Sequence, residues 1–152
     1  MSMATLTHSL SAFFERDLNR IIEELKLYQS EANIWHIEKG ISNAAGNLVL
    51  HLIGNLNTYI GKEIGGTNYV RNRPLEFSQK DVTRQVLIQQ LSETIVVVTR
   101  TITSLTEDDL KKEYPMLVLE KATSTEYFML HLLSHLSYHL GQINYHRRMI
   151  DV

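Results

Sequence analysis

Near the C-terminal end of the chain histidine recurs every four residues, at His131, His135 and His139, and Gln142 and His146 continue the series at helical spacing. Four residues on a helix advance roughly 40° beyond one full turn, so His135 and His139 can aim their imidazoles at one point. That is half of a metal site. The pair lacks the intervening Glu of the zinc-protease motif, so alone it is equally open to a plainer reading, with histidines exposed or hydrogen-bonded inside a core. A second set lies far upstream, where Asn47, His51 and Asn55 form an i, i+4, i+8 row between apolar neighbours, in a stretch without a charged residue from 43 to 61. A helix so poor in charge is buried on most sides, which turns His51 inward and leaves amides beside it to orient the ring. If His51 meets the pair, three neutral nitrogens hold a divalent ion with its full charge and one open coordination position. Such an ion can lower the pKa of a bound water or polarise a carbonyl. Zinc and nickel both suit imidazole, and affinity order does not choose between them. His131 and His146 are placed outside the ligand set, as surface or outer histidines.

Four amphipathic helices are expected to carry these residues. The first covers residues 6–28, with Leu6, Leu10, Phe13, Phe14, Leu18, Ile21, Leu25 and Tyr28 at three- and four-residue steps. Asp17 sits within that stripe. It belongs in water at the stripe's edge, or else accepts a hydrogen bond from a ligand imidazole. Trp35 plugs the end of a core or lines a pocket mouth, and Gly40 punctuates the connection. The second helix is expected over residues 43–64, capped by Ser42 and stopped by Gly65 and Gly66. Residues 67–77, with Arg71, Arg73 and Pro74, read as a long connection of the kind that acts or crosses a bundle. Ser78 with Asp81 resembles a capping box for the third helix, which runs to about Leu105 with Val82, Val86, Leu91, Ile95, Val98 and Ile102 on one face. One short turn starts at Thr106, and an apolar patch around Leu117 follows. The fourth helix starts from a Thr123 and Glu126 capping box and ends near Met149.

Composition narrows the classes. The 152 residues are 43% hydrophobic and 21% charged, the pattern of one soluble globular domain spanning 1–152. A net charge of −2 with mixed signs offers no basic footprint for nucleic acid, and Arg147 with Arg148 reads as a helix C-terminal partner of the dipole. With no cysteine, disulfides, a thiolate nucleophile and thiolate-bound metals are excluded, so any metal needs His or carboxylate ligands. No apolar run approaches a membrane span, and residues 1–10 lack a signal-peptide pattern, so no membrane partner and a cytoplasmic location are expected. No phosphate loop, nucleophile elbow or dinucleotide fingerprint appears.

The segment Gly46-Asn-Leu-Val-Leu-His51-Leu, followed far downstream by His135-x-x-x-His139-x-Gly-Gln142-Ile, resembles the DinB and YfiT-like four-helix-bundle superfamily over nearly the whole chain. More closely, residues 47–56 with residues 141–148 are similar to an uncharacterised bacterial branch of it. The resemblance implies an all-α four-helix bundle with a long connection between helices two and three, commonly a homodimer, with a divalent metal on His51, His135 and His139. Other members include thiol-dependent transferases, an isomerase and metal-dependent hydrolases. Fold and metal do not select among these. A hydrolase or thiol-dependent transferase acting on a small-molecule substrate is one expectation, and a non-catalytic bundle binding a metal or small ligand is the alternative. Asn47, Asn55, Gln142 and Asp17 are candidates to orient the ligands, while Asp17, Glu38 and Glu63 are candidate bases by proximity alone, so the catalytic group stays unknown.

Overall fold

A computed structural model describes residues 5–152, so the reading of residues 1–10 falls partly outside it. Six α-helices, four of them long, and no strands occur among the described residues. Helix α1 (Leu6–Leu27) starts where the Thr5 side chain accepts a hydrogen bond from the His8 amide, satisfying one of the amide donors that a helix start leaves free. It buries Leu10, Phe14, Leu18, Ile21 and Leu25. Burial of each such side chain contributes about 1.5–3 kcal/mol before entropy is counted. The stripe is narrower than expected at one point, since Phe13 is 43% exposed. A 3₁₀ turn (Glu31–Trp35) then buries Trp35, whose indole N–H donates to the Val82 carbonyl.

Helix α2 (Ala45–Leu56) begins three residues after Ser42, with Ala44 at the N-cap and no side-chain capping bond. The Trp35 ring lies so close to Gly46 that a Cβ there would fall 2.7 Å from it. Residues Asn57–Lys62 continue as a π-helical turn, in which Asn57 donates to the Ile53 carbonyl and to the Thr94 hydroxyl. The expected long connection contains a further helix, α3 (Arg73–Ser78): Asn72 caps it and Pro74 sits in its first turn, where a missing N–H costs nothing. Ser78 therefore closes α3 instead of opening the next helix, and Asp81 stands at φ 59° in the link. Thr83 is the N-cap of α4 (Arg84–Thr103), whose buried row is Leu87, Leu91, Thr94, Val98, Thr101 and Ile102; Val86 faces out. The short α5 (Glu107–Lys111) has a reciprocal capping box between Thr106 and Asp109. Helix α6 (Thr125–Ile150) is capped by Ser124, not Thr123, whose carbonyl is taken by the Tyr114 amide.

Helix α1 packs chiefly on α4 and α6, α2 on α4 and α6, α3 on α2, and α5 on α6. Two ring contacts fix the direction of α2 against α6. His51 lies 5.4 Å from His139 between ring centroids, and eight residues further along the chain, in the π-helical turn that continues α2, Tyr59 lies 5.5 Å from Phe128. The two helices run antiparallel.

Candidate metal centre

Three imidazoles meet between α2 and α6. His51 Nε2 is 3.2 Å from His135 Nε2, and His139 Nε2 is 3.1 Å from the same atom. These are the only three His, Cys, Asp or Glu side chains among the described residues that gather closely enough to hold one ion. Helical spacing brings His135 and His139 side by side on α6, and the inward polar row of α2 supplies the third ring.

Each of two rings is held from behind. His51 Nδ1–H donates to Glu76 Oε1 at 3.1 Å, and His139 Nδ1–H donates to Gln142 Oε1 at 2.7 Å. A proton on Nδ1 leaves the Nε2 lone pair free, so both acceptors select the tautomer that can ligate a metal. Glu76 is itself gripped by Arg71, which donates from Nε to Oε2 at 2.8 Å and from Nη2 to Oε1 at 2.9 Å. Burial raises the Glu76 carboxyl, but the hydrogen bonds from His51 and Arg71 outweigh it and hold the group below its ordinary range. The carboxylate reaches α2 because residue 54 is glycine; a Cβ there would lie 1.9 Å from Glu76 Oε2. Phe77 packs on the His51 ring at 5.0 Å between centroids.

The donor set fits a divalent ion. Tetrahedral coordination at ~2.1 Å from imidazole nitrogens sets those nitrogens about 3.4 Å apart, close to the spacings found. Burial, with His139 and His51 beside it, pushes His135 down to about 4, and burial lowers His139 against the opposing Gln142 bond. Both rings are therefore neutral near pH 7, the form a metal requires.

The remaining sequence candidates fall in several places. Asn47 is buried, donating to the Glu76 and Gln79 carbonyls and accepting from Lys80, so it ties α3 to α2. Asn55 is buried one turn beyond His51, with its Oδ1 unpartnered among the described residues. Asp17 is not in water: it is buried on α1 and paired with Arg16 and Arg20. Glu38 bonds His36, and Glu63 sits near Tyr114. His131 is exposed beside Phe128. His146 is buried, accepting from the Tyr28 hydroxyl at Nδ1 and donating from Nε2 to the His36 carbonyl. From sequence Glu76 was not named, and Arg71 only as part of the long connection. The signal was present, since Asn72, Pro74 and Glu76 spell a helix start with an acid in its first turn. A cavity of about 330 Å³ opens beyond Glu76, lined by Asn57, Tyr69, Asn72 and Thr94, and none of the three histidines lines it.

Compared with known proteins, residues 7–152 match the model of a family described as protein of unknown function (DUF1572). No curated protein matches the chain.

Proposed function

The chain belongs to the DUF1572 family, which has the DinB/YfiT-like fold, and from that premise we propose that it is a divalent-metal-dependent enzyme in which His51, His135 and His139 hold zinc or nickel. The observation that carries the reading is the convergence of three imidazoles, with the Nε2 atoms of His51 and His139 each about one ligand spacing from that of His135 and all three ligand atoms within 4.8 Å of one another, two of the rings having their tautomers fixed from behind. In this reading the four long helices form a single-domain four-helix bundle, a cytoplasmic homodimer whose exposed α6 stripe of Tyr127, Leu130, Tyr138, Tyr145 and Met149 supplies the apolar face.

When bound, the ion supplies Lewis acidity at an open fourth position, where water or a small thiol becomes a nucleophile towards an electrophilic substrate. The three neutral rings leave the ion's charge undiminished, and Glu76 returns part of it only through the His51 Nδ1–H. His135 and His139 are partly exposed while His51 is buried, so a substrate approaches from the α6 side. No carboxylate other than Glu76 touches a ring of the triad among the described residues, and Glu76 is committed to Arg71. Proton transfer then falls to solvent or the nucleophile itself.

Elemental analysis of the purified protein against His51→Ala tests the site: metal in stoichiometric amount and its loss in the variant are expected. Metal-loaded protein is then screened with ester, amide and epoxide substrates, with and without low-molecular-weight thiols. Turnover abolished by chelator selects an enzyme, and thiol dependence selects transferase over hydrolase. Metal binding without any turnover would leave the non-catalytic bundle instead.

A further inference from the structure

A ring that ligates through Nε2 carries its remaining proton on Nδ1, and a buried N–H without an acceptor is costly. His51 gives that proton to Glu76 and His139 gives it to Gln142. His135 Nδ1 is buried and has no partner among the described residues. Two acceptors are stranded in the same way: Asn55 Oδ1 and Thr58 Oγ1 are buried and unpartnered. Asn55 is 93% buried by the complement of its 7% exposure.

The antiparallel packing of α2 and α6 puts Asn55 and Thr58 on the α2 side of the seam that His135 enters from α6. His51 meets His135 and His139 at one end of the contact, and Tyr59 meets Phe128 at the other. Asn55 lies midway along α2, hence opposite the stretch of α6 between Phe128 and His135. Thr58 follows Asn55 by three residues, on the same face, in the first turn of the π-helical segment. A buried donor and two buried acceptors along one helix seam supply the two to four polar partners that an internal water requires.

We infer that Asn55 is the positioning residue for His135: its Oδ1 accepts the His135 Nδ1–H through one buried water that the Thr58 hydroxyl also holds. The inference rests on the metal reading above and completes it, because each ligand ring then has its own acceptor.

The test uses cobalt(II) as the probe, with affinity from competition against a chromophoric chelator and ¹⁵N NMR of histidine-labelled, zinc-loaded protein. Asn55→Leu is expected to weaken cobalt binding by about 10–100-fold, to expose the His135 Nδ1–H to rapid exchange, and to leave the His51 and His139 signals in place. Asn55→Asp, which keeps an acceptor, is expected to recover most of the affinity. Thr58→Val, whose fold is less at risk, is expected to speed the same proton's exchange. Wild-type affinity and a protected His135 proton in Asn55→Leu, or in Thr58→Val if the former does not fold, overturn the inference alone. Wild-type protein that takes up no cobalt overturns the metal reading, and this inference with it.

Discussion

Glu76 is the residue on which most of the site's polar geometry converges. It accepts from His51 and from Nε and Nη2 of Arg71, in a place that Gly54 keeps open. Glu76→Gln should lower metal affinity about 10–100-fold through His51, and by stranding a largely buried Arg71 it should destabilise the fold by about 3 kcal/mol. Chelator competition and denaturant titration measure the two effects separately. Gly54→Ala makes a similar prediction by a different route: its methyl group occupies the position of Glu76 Oε2, so the carboxylate must leave. Metal affinity should fall while every ligand remains, and unchanged affinity would mean that Glu76 does not support His51. For His135→Ala the expectation is simpler, loss of stoichiometric metal by elemental analysis.

At the scale of elements, α3 acts as a strut. It has only six residues, too few to be stable alone, and it is held by Asn72 at its start, by Asn47 reaching its last turn, and by the Arg71 pair. Asn47→Ala removes two donated bonds from a buried side chain and leaves the Glu76 and Gln79 carbonyls without that donor. A loss of about 1–3 kcal/mol is expected in chemical denaturation, together with faster amide exchange in α3 than in α4 or α6. Equal exchange in all three would show that α3 is anchored by other contacts. The N-cap of α6 is a more local matter: Ser124→Ala should cost about 1 kcal/mol and leave metal affinity unchanged.

For the whole molecule, pH acts through buried histidine. Burial lowers His146, against the opposing bond to the His36 carbonyl. Below the ordinary histidine value of 6.5 the unfolded chain takes up a proton that the folded chain still refuses, so unfolding gains free energy as pH falls. The contribution of this neutral ring is complete above that value and is lost as pH drops towards the lowered folded value. Metal-free protein should therefore melt at falling temperatures below about pH 6.5, with a shallower dependence in His146→Gln; identical slopes would remove His146 from the account. Assembly is the other whole-molecule property. Sedimentation at micromolar concentration should show a dimer, and Tyr145→Asp, on the exposed α6 stripe, should shift it towards monomer. A wild-type monomer would refute the dimer.

Sequence by itself determined what periodicity and local chemistry encode. The apolar steps of α1, the charge-poor α2 and the four-residue histidine series required helices with one inward face, because side-chain direction repeats every 3.6 residues wherever a helix forms. They also put His51 on an inward row and His135 beside His139. Helix boundaries were less legible. Ser42, Ser78 and Thr123 all have capping chemistry, and the structure uses none of them as a cap, since Ala44, Thr83 and Ser124 stand at those places. Only the tertiary structure brought α2 against α6 so that three Nε2 atoms meet, lifted α3 out of an apparent loop, and set Glu76 against His51 from 25 residues away. It also buried Asp17 against two arginines instead of leaving it in water. The reason is physical: a hydrogen-bond partner for a buried charge is chosen by what packs nearby, and packing depends on the relative placement of whole helices, which no local repeat in the chain records.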